Sequence, residues 1–179
     1  GLIHAAAPLK GLISFPKERV VLLKTLTTVA SVALPIEERW SIKRCRYAPD
    51  GSSAGRVCIA TGTHGDEMMG QLIIYLVQQR IGEHPDALRG TVDFYPMLNP
   101  LGLDIGERLV PSGTRLDMNR AFPGSPNGTP LEYMCHQVIQ DMRGADLVLD
   151  LHASARNKSE LYEVRVSAKE AERLLPRVR

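Results

Sequence analysis

The chain has 179 residues, 44% of them hydrophobic and 23% charged, with a formal net charge of +2. That length and balance suit one globular domain with a buried core. The small charge argues against nucleic acid or an anionic membrane as a partner, and no apolar run is long enough to span a bilayer.

Residues 1–35 form an N-terminal segment of unclear structure, although Val20–Leu23 is apolar and Thr25–Leu34 is rich in β-branched residues, so one or two strands fit there. Trp40–Tyr47 alternates Trp40 and Ile42 with basic residues, the pattern of a strand with one wet face. After a turn at Pro49–Ser53, Val57–Ala60 reads as a short buried strand. It runs into a loop with two glycines, Thr61–Glu67, and a helix is expected from there to Arg80. Asp66 and Glu67 would lie in its first turn, and Met69, Leu72, Ile73, Leu76 and Val77 would form its apolar face. Thr91–Leu98 is a further strand. Asn99–Thr129 is a long loop without hydrophobic period and dense in Gly and Pro, a type that is usually functional. Pro130–Arg143 reads as a helix and Ala145–Leu151 as a buried strand ending in His152. Leu161–Val166 reads as a last strand, and Ser167–Leu175 as a helix with Ser167 as N-cap.

Strand and helix alternate, which argues an α/β sheet with helices on its faces. Ligands gather where the strands of such sheets end. His64, Asn99 and His152 each follow one of the expected strands. His64 and Glu67 are three positions apart at a loop-to-helix junction, so both can point the same way. Two His and one Glu are a common protein ligand set for catalytic zinc, with one position left open. Asp150 would share a face with His152 and could orient it. On spacing alone a plainer reading stays open, with Glu67 as a helix first-turn acid, His64 as a turn residue and His152 bonded to backbone. His4, His84 and His136 read as structural.

Three cysteines at wide spacings, Cys45, Cys58 and Cys135, spell neither a disulfide framework nor a cysteine-based zinc site, so a reducing, cytoplasmic compartment is expected. The start at Gly1 rather than Met leaves room for a leader already removed.

The long loop concentrates Arg108, Arg115, Asn119 and Arg120. Arginine suits bidentate carboxylate binding and the stabilisation of oxyanions. A solvated loop using arginine for solubility is the plainer alternative.

Four segments together resemble the zinc carboxypeptidase superfamily, and within it the succinylglutamate desuccinylase/aspartoacylase family. They are ATGTHGDE (Ala60–Glu67), MLNPLGLDIGERLVPSG (Met97–Gly113), RLDMNRAFPG (Arg115–Gly124) and DLVLDLHAS (Asp146–Ser154). The resemblance implies a mixed, mostly parallel sheet with helices on both faces, here incomplete at the C-terminus, with residues 36–179 as part of a catalytic domain. It implies one zinc ion on His64, Glu67 and His152, and a small-molecule substrate whose free carboxylate is held by Asn119 and Arg120. Arg108 matches the arginine that polarises the scissile carbonyl, with Arg115 a rival nearer the Asn-Arg pair. The family's general base is a glutamate well downstream of the third ligand, and Glu160 and Glu163 stand too close to His152 to match it. The implied activity is zinc-dependent hydrolysis of an amide bond, releasing an acyl group from an N-acyl amino acid. A zinc carboxypeptidase acting on peptides and a non-catalytic metal- or ligand-binding module are the alternatives.

Overall fold

A computed structural model of the chain describes residues 22–51, 53–111 and 116–153. In chain order the elements are β1 (Leu22–Ala33), β2 (Arg39–Pro49), β3 (Arg56–Thr61), α1 (Met69–Glu83), β4 (Thr91–Tyr95), α2 (Pro100–Ile105), α3 (Met118–Ala121), α4 (Pro130–Met142) and β5 (Leu147–Leu151). The strands form one sheet in the order β1-β2-β4-β3-β5. β2 is antiparallel to both β1 and β4, while β3 is parallel to both β4 and β5. β2 therefore runs against the other four strands, and the sheet is mixed and mostly parallel. The expected boundary between residues 35 and 36 falls in the connection of β1 to β2, two neighbours in this sheet. The strand and helix expected over 161–175 lie outside the described residues.

The two-residue period of the strands divides the core between two layers. On one face Trp40, Ile42, Cys58, Ala60 and Tyr95 pack with Met134 and Val138 of α4. On the other, Cys45, Tyr47 and Phe94 pack with Ile74 of α1. Helices thus cover both faces. α4 is well started: Thr129 accepts from the Glu132 N–H at 3.3 Å, the Glu132 carboxylate accepts from the Thr129 N–H at 2.7 Å, and Pro130 opens the first turn. Such a cap typically contributes about 1 kcal/mol.

Arg39 and Lys43 of β2 are exposed, but Arg44 and Arg46 do not make a wet face. Arg44 and Arg46 share the α4 side with Trp40 and Ile42 and enter a buried ionic network. Arg46 donates twice to the fully buried Asp93, at 2.7 and 2.8 Å, and Arg56 donates to it at 2.7 Å. Arg44 donates to both carboxylate oxygens of Asp141 on α4, and the Tyr95 hydroxyl donates to Asp141 Oδ2 at 2.7 Å. Burial pushes the Asp93 carboxyl up, but the bonds from Arg46 and Arg56 and their charges outweigh this and hold it below the usual carboxylate range. The network ties β2, β3, β4 and α4 together.

Three further expectations are corrected. The long loop contains two short helices, α2 and α3. α1 begins at Met69, so Asp66 and Glu67 lie in the turn before it, and it buries only Gly70 and Ile74 while Met69, Leu72, Ile73 and Leu76 are exposed. Gly70 is the point of closest approach, where an added Cβ would overlap the Thr61 side chain of β3. β5 is an edge strand among the described residues, and its central Val148 and Leu149 are exposed rather than buried.

Candidate metal centre

The site lies at the C-terminal ends of the parallel strands. Beyond β3 and β4 the two chains stay bonded, Leu98 N–H to the Thr61 carbonyl at 3.1 Å and Asn99 N–H to the Gly62 carbonyl at 2.7 Å. Asn99 then caps α2 by accepting from the Gly102 N–H at 2.9 Å. Gly65 has no room for a side chain, because the backbone of Gly102 and the Glu107 carbonyl press against its Cα. This close crossing sets His64 against the α2 segment and returns the chain to Arg108, whose carbonyl accepts from the Gly65 N–H at 3.4 Å.

His64 and Glu67 are almost completely buried, and His152 follows β5 directly. His64 Nδ1 lies 2.9 Å from Glu67 Oε1 and 3.2 Å from His152 Nδ1, and His152 Nδ1 lies 3.0 Å from Glu67 Oε2. Two imidazoles and a carboxylate from distant parts of the chain thus converge on one point, and these ligand atoms all lie within 4.8 Å of one another. Each ring is held from behind by a carboxylate. His64 Nε2 is 3.3 Å from Asp117 Oδ1, and His152 Nε2 is 2.9 Å from Asp150 Oδ2.

The donor set fits a divalent ion. Nitrogen and oxygen ligands about 2.0–2.1 Å from a tetrahedral zinc stand roughly 3.4 Å from each other. The nitrogens and oxygens here are spaced close to that. Neutral imidazoles cannot satisfy each other across a 3.2 Å nitrogen-to-nitrogen approach with both lone pairs facing inward, and a cation between them would relieve it. Carboxylates behind both rings would place the ring protons on the outer nitrogens and leave Nδ1 free to ligate.

The electrostatics agree. Burial pushes the Glu67 carboxyl up, but the Ala153 N–H at 2.9 Å, Arg108 Nη1 at 2.7 Å and the two histidines together hold it below its ordinary value. Glu67 is therefore ionised at neutral pH. The His152 ring is shifted up, first by its bond to Asp150, against burial, and then by the charges of Asp150 and Glu67.

The structure also brings Arg108 into the site, on the carboxylate of Glu67 and nearly half exposed. Arg115 lies outside the described residues. Asn119 and Arg120 sit on α3, both exposed, and meet the site through Asp117, which the sequence reading missed. Asp117 Oδ1 accepts from the Asn119 N–H at 3.0 Å as well as facing His64, and Asp117 Oδ2 lies 3.4 Å from Arg120 Nε. An aspartate two residues before Asn119 at a helix start was its only trace in the sequence. His84 stands at the end of α1 and His136 on α4, away from the converging atoms, and His4 lies outside the described residues.

An open, mixed sheet with a His–Glu–His group at its strand ends defines an α/β domain with the fold of metallo-carboxypeptidases. A metallo-carboxypeptidase from Burkholderia cenocepacia shares it at a TM-score of 0.60 and 18% identity, over 73% of this chain and 37% of that one. More narrowly, the succinylglutamate desuccinylase/aspartoacylase catalytic domain matches residues 53–177, and the chain belongs to that family. A solved succinylglutamate desuccinylase/aspartoacylase from Rhodobacter sphaeroides matches at a TM-score of 0.62 and 26% identity, over 80% of this chain and 43% of its own. A curated relative, the N-alpha-acetyl-L-2,4-diaminobutyric acid deacetylase of Halomonas elongata, is 33% identical over 98 residues, which are 53% of this chain and 27% of that protein. The chain thus spans about a quarter of the curated relative and less than half of these solved structures.

Proposed function

We propose that the chain carries the ion-binding part of a zinc-dependent amide hydrolase acting on N-acyl amino acids. The convergence of His64 Nδ1, His152 Nδ1 and the Glu67 carboxylate carries this reading. Support comes from family membership and from the diaminobutyrate deacetylase relative, whose name specifies an N-acetyl amino acid.

His64, Glu67 and His152 would hold the ion, which would supply Lewis-acid polarisation of a carbonyl oxygen and activation of water. Arg108 lies beside the ion position, where its guanidinium can stabilise negative charge developing on a carbonyl oxygen, an effect commonly worth about 3 kcal/mol. Asn119 and Arg120 stand on the same side, on a helix started by a residue that touches His64, and would hold the substrate carboxylate and align the amide. Asp117 and Asp150 are engaged with the imidazoles. The family resemblance assigns proton transfer to the leaving amine to a glutamate well downstream of His152.

The test is zinc titration of the purified protein against a chromophoric chelator, with a hydrolysis panel of N-acyl amino acids and peptides. One zinc per chain, lost in His64→Ala, with turnover of N-acyl amino acids is the expected result. Release of C-terminal residues from peptides would reassign the substrate, and zinc binding without turnover would favour a binding module. Undiminished stoichiometric zinc in His64→Ala would refute the ligand assignment.

A further inference from the structure

His64 and Glu67 stand on one loop, residues 62–68, between β3 and α1. The main chain of its first half is tied from outside. The Asn99 N–H holds the Gly62 carbonyl at 2.7 Å, and the Gly65 backbone lies against that of Gly102. In the second half the Glu67 N–H donates to the His64 carbonyl at 3.3 Å, a bond internal to the loop, and Met68 makes no side-chain cap at the start of α1. Gln71, in the first turn of α1, reaches back to this half. The end of its side chain lies 2.7 Å from the Met68 carbonyl oxygen and 3.2 Å from the Glu67 carbonyl oxygen. Carbonyls only accept, so the amide nitrogen faces them and donates to both. The other arm of the same amide rests on Gly62, 2.8 Å from where a Cβ on that residue would sit. The Gln71 amide thus spans the loop from its first residue to its last two.

We infer that Gln71 is a positioning residue, a strut across the loop that sets where Glu67 stands relative to His64. Two ligands carried on one loop keep their spacing only while the two ends of that loop keep theirs. Such groups have to be held within about 0.5 Å of the productive geometry. The bonds of Gln71 go to main-chain carbonyls, one of them that of Glu67 itself. A turn of the peptide at that carbonyl swings the Glu67 side chain, so Gln71 acts through Glu67. A carboxylate at position 71 would replace the donating nitrogen by an oxygen facing two carbonyl oxygens, and their repulsion would push the loop off its place. Its negative charge taken alone would act the other way, since it would attract a cation. The two effects differ in sign, which separates positioning from electrostatics. The affinity part of this inference rests on the ion-site reading above, whereas the loop part does not.

The experiment uses the whole chain with Gln71→Met, which keeps the length and loses the donor, and Gln71→Glu, which keeps the shape and adds a charge. Gln71 is only partly buried, and all three residues are good helix formers, so the fold should be retained. Zinc affinity by chelator competition at pH 8 should fall about tenfold in Gln71→Met, the lower end of what loss of an outer partner costs. It should fall at least as far in Gln71→Glu, despite the added negative charge. In metal-free protein, amide hydrogen exchange read by mass spectrometry should quicken in peptides covering residues 62–68 of both variants and stay unchanged in β3 and β4. Zinc affinity in Gln71→Glu equal to or above that of the wild type overturns the inference, because charge and not placement would then decide. Unchanged exchange of the loop in both variants overturns it too, and so does equal quickening across the sheet, which would make Gln71 a general stabiliser. A wild-type chain that binds no zinc would refute the ion-site reading, while the exchange of the loop still decides the role of Gln71.

Discussion

Replacing Gly70 by alanine tests how the site is anchored to the sheet. α1 starts two residues after Glu67, and Gly70 is where it crosses β3. An added Cβ would overlap Thr61 Oγ1 and lie 2.6 Å from Thr61 Cβ, where carbon atoms ordinarily rest about 3.5–4.0 Å apart. Thr61 cannot yield, since it is fully buried and its hydroxyl donates to the Leu151 carbonyl at 3.2 Å. The helix must back away from the strand by about 1 Å. Overpacking of this kind costs about 1–3 kcal/mol, against at most ~1 kcal/mol gained from the helix propensity of alanine, and less than that in a first turn. The net expectation is a loss of about 1–2 kcal/mol, or roughly 2–8 °C in Tm for a chain of this size. Urea denaturation followed by far-ultraviolet circular dichroism would measure it. The double variant Gly70→Ala with Thr61→Ala removes the obstructing hydroxyl and methyl, and should be more stable than the sum of the two single changes by about 1 kcal/mol. A Gly70→Ala protein as stable as the wild type would show that α1 is not seated on β3 as described, and the placement of Glu67 would fall with it.

Two other expectations concern the charged groups. Asp93→Ala leaves Arg46 and Arg56 facing each other without their shared buried partner, and should cost about 3–5 kcal/mol in the same urea experiment. Because the folded carboxyl of Asp93 is held below its unfolded value of about 3.9, its contribution is complete above that pH and is lost as pH falls through the folded value. Wild-type stability should therefore drop on acidification below about pH 4, and the drop should be shallower in Asp93→Ala. Asp117→Ala removes both the partner of His64 Nε2 and the cap of α3, and should weaken zinc binding by about tenfold or more in a chelator competition. Unchanged zinc affinity would mean that His64 needs no support beyond its packing.

The local elements were largely legible in the amino-acid order. The β-branched and apolar runs at 22–33, 57–61, 91–95 and 147–151 are strands, and the spacing of Leu131, Met134, Cys135 and Val138 makes α4 a helix with a buried stripe. His64, Glu67 and His152 stood out because loops with glycine flanks and acid or imidazole groups at strand ends are where such sheets carry their chemistry. The short helices α2 and α3 were hidden because six and four residues are too few to show a hydrophobic period. What the order of residues could not decide was anything that depends on which strands become neighbours. The pairing of β3 with both β4 and β5 brings His152 within 3.2 Å of His64, and the placement of β4 between β2 and β3 brings Arg46 and Arg56 together on Asp93. Local sequence sets the backbone conformation through sterics and periodicity, residue by residue. Strand order and long-range side-chain partners are set by contacts between segments far apart in the chain, so only the folded molecule could reveal Asp117 behind His64, whereas Asp150 beside His152 follows from the two-residue period of a strand.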